Sequence, residues 1–175
     1  MTATPTPQQL ADEARHAYQT GNLPAAAQAF AQAAAAYSAT GDTLSAAEMK
    51  NNQSVALLRN KQAQAALEAA LGTEKVFAAA NDARREGMAL GNQASAQQAL
   101  KHPREAIELY RQSAAALEKA GEGDLRAEVM QLLASLYLGR FKFYDAVLTL
   151  QAGLAGVKNP TPKQRLMKKL LFFRL

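Results

Sequence analysis

The chain contains no cysteine and no tryptophan. Without cysteine there is no disulfide framework, no thiolate zinc site and no cysteine nucleophile, and the composition suits a reducing compartment. Valine and isoleucine together number only six in 175 residues, too few for a sheet, which draws on β-branched and aromatic side chains. Long apolar runs are missing as well. The longest uncharged stretch, His16 to Gly41, is broken by Gly21, Asn22 and Pro24, and a bilayer span needs about 20 strongly apolar residues. Met1 to Leu10 has neither the basic start nor the apolar centre of a signal peptide. These absences predict a cytoplasmic protein, at most peripheral to a membrane. What is abundant is alanine, 40 residues, and leucine, 23, and both favour helix. The expected fold class is all-α.

The helices repeat. Ala26, Ala66, Ala106 and Ala146 recur at a spacing of 40. Four residues further on stand Phe30, Ala70, Tyr110 and Leu150, and eleven further on Tyr37, Phe77, Leu117 and Val157. Twelve residues upstream the column is small throughout: Ala14, Ser54, Ala94 and Ala134. Turn clusters such as Gly41-Asp42, Asn81-Asp82 and Gly121-Glu122-Gly123-Asp124 separate the units, with Asp placed to cap the next helix. The punctuation predicts helix pairs over 7–20 and 24–40, 42–59 and 62–80, 83–100 and 103–120, then 124–139 and 144–157. One such pair cannot hide its apolar face, whereas a stack of four buries a continuous seam.

The small residue in the first helix, the Ala opening the second and the large residue four later resemble the tetratricopeptide repeat, best seen in ALGNQASAQQALKHPREAIELY, Ala89 to Tyr110. The resemblance covers about residues 7–157, with a period longer than the usual 34. It implies an α-solenoid of about four antiparallel helix pairs over residues 1–158, followed by a basic amphipathic helix over 159–175.

Catalysis finds no foothold. The two histidines, His16 and His102, lie about two units apart, and neither has companions at metal-ligand spacing. There is no phosphate loop or nucleophile elbow. No enzyme activity, cofactor or metal is expected. The isoelectric point is 9.6, yet residues 1–158 carry 15 basic against 15 acidic residues. A phosphate-tracking face needs clustered positive charge, so no nucleic acid is expected on the repeat body.

What remains is the groove, which the resemblance implies is lined by the first helix of each pair and takes a peptide or helix of a partner protein. Matching positions are Arg15 and Tyr18 in the first unit, Asn51, Asn52, Val55 and Arg59 in the second, Gly91, Asn92, Ser95 and Gln98 in the third, and Gln131 and Ser135 in the fourth. Asn52 and Asn92, 40 apart, are expected at equivalent places on adjacent helices. There their amides could hold the backbone of an extended peptide.

After Asn159-Pro160-Thr161-Pro162 the composition changes. Lys163, Arg165, Lys168, Lys169 and Arg174 have no acid beside them, and the whole +5 net charge lies in the last 13 residues. Leu166, Leu170 and Phe173 share one side of a helix beginning at Pro162. They are expected to pack on the last repeat, leaving the basic residues with Phe172 and Phe173 to dock on an anionic membrane surface or an acidic protein.

Overall fold

The computed structural model describes residues 5–172, the side chain of Phe172 excepted. Among them are ten α-helices and no strand: α1 (Pro7–Gln19), α2 (Leu23–Ala39), α3 (Thr43–Arg59), α4 (Ala63–Ala70), α5 (Thr73–Ala79), α6 (Ala83–Ala99), α7 (Pro103–Lys119), α8 (Gly123–Leu138), α9 (Phe143–Ala155) and α10 (Pro162–Phe172).

The period of 40 has a local cause. A left-handed backbone residue stands every 20 positions, at Gly21, Gly41, Lys61, Asn81, Lys101, Gly121 and Phe141. Each closes a helix in the same way. At the first, the Gly21 N–H donates to the Tyr18 carbonyl and the Asn22 N–H reaches back to Ala17. At the last, Phe141 donates to Leu138 and Lys142 to Tyr137. This is the helix stop in which a positive φ lets two N–H groups satisfy the final carbonyls. Helices of up to 17 residues and turns of three residues, four between α8 and α9, therefore alternate down the chain, apart from the α4–α5 break. The next helix is capped by the side chains of Asn22, Asp42 and Asp82. The expected Asp124 cap is not formed: Glu122 occupies the cap position without a side-chain bond, and Asp124 falls in the first turn of α8.

Helices pack on their chain neighbours, α1 on α2, α2 on α3 and α6 through α9 in turn, while the short α4 and α5 each pack on α3 and α6, as a nearest-neighbour stack requires. The two small columns sit where the pairs touch. Ala26, Ala66, Ala106 and Ala146 are fully buried, as are Ala14, Ser54 and Ala94, with Ala134 nearly so. Short side chains let the helices approach, and Phe30, Phe77, Tyr110 and Leu117 fill the space between. Each such burial is worth about 1.5–3 kcal/mol.

Two expectations need correcting. Residues 62–80 are two helices. Leu71 leaves the helix in an extended conformation and Gly72 turns left-handed at φ 83°. The freed Ala70 carbonyl is satisfied by the Thr73 hydroxyl at 2.7 Å and by the Gln93 amide at 3.1 Å, which also donates to Glu74. The second correction concerns α10. Leu166 and Leu170 are 59% and 69% exposed, and Phe173, like Arg174, lies outside the described residues. The half-buried positions of α10 are Gln164, Met167 and Leu171, and the Gln151 amide of α9 donates to the Leu171 carbonyl. Pro162 does start the helix, with Thr161 and Gln164 capping each other.

Candidate partner-binding groove

Two depressions open along the first helices of the pairs, and they are built alike. One, about 240 Å³, is lined by Arg15, Tyr18 and Gln19 of α1, Phe30 of α2, and Asn52 and Val55 of α3. The other, about 210 Å³, lies between α6 and α8 and is lined by Gly91, Asn92, Ser95, Tyr110, Val129 and Leu132 among others. Phe30 and Tyr110 belong to the same repeat column, as do Arg15 and Ser95, and Asn52 and Leu132, each pair 80 residues apart. A large aromatic residue on the second helix is thus the floor of both.

Between them the repeat lacks the aromatic floor. Ala70 stands where the aromatic floor would be, and the Asn92 amide donates to the Asn51 side chain at 2.9 Å. Asn51 is buried. Asn92 thus ties α3 to α6 with one of its amide hydrogens while it still lines the second depression, so Asn52 and Asn92 face different openings and do not line one site. The register places them equivalently, but Asn51 engages one of the two and not the other. The Asn52 side chain makes no hydrogen bond to another described residue and faces the first depression.

The first depression gathers four of the expected residues. The Tyr18 ring meets Phe30 edge-on at 6.5 Å, and the Arg59 guanidinium lies over it at 4.8 Å. Such a stack holds the ring in place and leaves N–H donors free at its rim. Arg15 is oriented by Asp12 at 2.7 Å. The result is an apolar floor between two guanidinium groups and an open amide. Sequence reasoning missed Phe30 as a lining residue, although its column marks it as the large partner of the small one.

The third unit is more committed to its own structure. The Ser95 hydroxyl donates to the Gly91 carbonyl and lies 3.0 Å from the Tyr110 hydroxyl, which donates to Gln98. Ser95 and Gln98 therefore hold Tyr110. Burial raises the pKa of that phenol above its ordinary value, opposed by the Ser95 contact. In the fourth unit Gln131 and Ser135 are exposed, and the Ser135 hydroxyl turns back to the Leu132 carbonyl. Of the tail residues, Lys163, Arg165, Lys168 and Lys169 are exposed.

Among the described residues no group of three or more His, Asp or Glu is placed to hold a metal ion, and no helix is long and apolar enough to cross a membrane. No protein-family model matches the chain, and no curated protein sequence does. Solved structures do. The nearly identical TPR-like repeats of a kinesin light chain-like protein from Podosopora anserina superpose with a TM-score of 0.74 at 20% identity, over 97% of this chain and 88% of that one. A single-substitution variant of the same protein gives 0.75 at 20% identity over the same shares. The fold is a TPR-like α-solenoid.

Proposed function

We propose that the chain is a non-catalytic scaffold whose first depression, between α1 and α3, takes a segment of a partner protein. A TPR-like solenoid suits protein–protein interaction in general. The observation that carries the finer reading is the convergence of Arg15, Tyr18, Asn52 and Val55 on one opening floored by Phe30, with Arg59 stacked at its edge. The chemistry selects an extended segment that puts one apolar side chain on the Tyr18–Phe30 floor. Its backbone amide pairs with Asn52, and an acidic group beside it meets Arg15 or Arg59.

The test is selection of a random peptide library on the full chain, followed by measurement of selected peptides against Tyr18→Ala and Asn52→Ala. Asn52→Ala removes one neutral hydrogen bond, about 0.5–1.5 kcal/mol, and so weakens binding by about two- to tenfold. Tyr18→Ala removes half the floor and weakens it further. Peptides that bind both variants as tightly as the parent chain would place recognition elsewhere.

A further inference from the structure

The second surface lies at the other end of the solenoid, outside the groove. Among the described residues, exposed large apolar side chains are concentrated from Leu132 onward; before it only Leu71 and Met88 belong to this class. Their centre is the α8–α9 turn and the start of α9, Arg140-Phe141-Lys142-Phe143-Tyr144. Phe141 is 82% exposed, Tyr144 74% and Leu148 44%. Phe141 and Phe143 meet edge-on at 6.2 Å.

The repeat itself supplies the control. Where Phe141, Tyr144 and Leu148 stand, the first unit has Gly21, Pro24 and Gln28, the second Lys61, Gln64 and Glu68, and the third Lys101, Arg104 and Glu108. All nine are exposed, so this column set faces solvent in every unit, and only in the fourth is it apolar. The fold does not need the change. Phe141 adopts φ 58°, a conformation that disfavours bulky side chains, and its ring is almost wholly exposed to solvent. An aromatic held at a strained tip without burial points to something outside the chain.

We infer that the α8–α9 turn, with Phe141, Tyr144 and Leu148 flanked by Arg140 and Lys142, docks on an anionic lipid surface. Three observations favour that occupant. In the first three units the equivalent residues stay exposed although a further helix is stacked beside them, so a helix added in the repeat manner would leave this stripe uncovered. The rings project from a tight turn instead of lining a recess, the shape that enters a headgroup layer. From Leu138 to Phe172 there are seven basic residues and one acid, Asp145. That charge attracts anionic headgroups and opposes a symmetric pairing of two copies, which would bring like patches together. Exposed Lys163, Arg165, Lys168 and Lys169 of α10 belong to the same basic end.

The test is co-sedimentation of the full chain with vesicles of phosphatidylcholine plus phosphatidylserine, against phosphatidylcholine alone. The variant combines Phe141→Gly, Tyr144→Gln and Leu148→Gln, each borrowing the residue that another unit already carries there. Binding is expected to require phosphatidylserine, to weaken with salt over the roughly 10 Å screening length at 0.1 M, and to fall roughly tenfold or more in the triple variant. A second readout does not depend on that variant's folding. Because the chain has no tryptophan, Phe141→Trp adds a single tryptophan, excited selectively over the tyrosines, whose fluorescence should shift to shorter wavelength on phosphatidylserine vesicles. The inference is overturned if the parent chain ignores phosphatidylserine, if the folded triple variant binds as well as the parent, or if the emission stays unshifted. It is also overturned if light scattering shows a dimer that the triple variant loses, which would assign the stripe to a second copy.

Discussion

The two ends of the solenoid use the same scaffold in opposite ways. Around α1–α3 the aromatic residues turn inward: Phe30 is buried, and Tyr18 is half-buried under Arg59. Solvent-facing columns there hold Gly, Pro and Gln. Around α8–α9 the seam is still built from Ala146, Leu133 and Tyr137, but the outer columns carry Phe, Tyr and Leu. The difference teaches that a repeat constrains only its inward columns. The small residues and the left-handed turn every 20 positions are kept in all units, while the outward positions are free to take on whatever a ligand requires.

That comparison can be broken most forcefully at its inward side. Tyr110 is 1% exposed and held by Ser95 and Gln98. Tyr110→Ala should cost about 3–5 kcal/mol, read as a lower denaturation midpoint. Gln93 comes next, since it donates to the carbonyl freed at the α4–α5 break and to Glu74. Gln93→Ala should cost about 1–3 kcal/mol, with faster amide exchange at Leu71 to Thr73.

Asp82 tests the turns. Its carboxylate accepts from the Arg85 backbone N–H at 2.9 Å and from the Arg85 guanidinium at 2.6 Å. The backbone bond chiefly, with the guanidinium, holds its pKa below the ordinary carboxylate value. Asp82→Ala should cost about 0.5–2 kcal/mol at neutral pH. A lowered carboxylate stabilises above its unfolded pKa and loses that contribution as pH falls through the folded one. The melting difference between parent and variant should therefore shrink in acid, and a constant difference would show that the charge is irrelevant.

Ser54 sharpens the small column from the other direction. Its hydroxyl is buried without a hydrogen-bond partner, and the other three units place Ala there. Ser54→Ala should raise stability by about 1 kcal/mol. At the outward side, Phe141→Gly should leave stability unchanged or raise it by up to about 1 kcal/mol, because the ring is 82% exposed, the residue sits at φ 58° and Gly21 serves the same turn in the first unit.

The solenoid was legible because its determinants are columns: small, large and turn residues that recur whatever lies outside. The α4–α5 break was not, although Gly72 offered a signal. Its stability depends on Gln93, 21 residues away, supplying a donor to Ala70, and no local pattern announces that. The α10 stripe failed for a related reason. Gln164–Met167–Leu171 and Leu166–Leu170–Phe173 both have helical spacing, and the surface of α9 decides between them. In the groove, Arg15, Tyr18, Asn52 and Val55 could be placed from the repeat register. The Asn92–Asn51 bond could not, because it follows from the adjacent Asn51 in space. The stripe at Phe141 was readable by comparing outward columns, which periodicity searches aimed at the core pass over.

The most direct test of the account is hydrogen exchange of the full chain with and without a library-selected peptide. Added protection concentrated at Arg15 to Gln19 and Asn52 to Arg59, with α9 and α10 unchanged, is the predicted result. Protection confined to residues 138–172, or absent from α1 and α3, would contradict it.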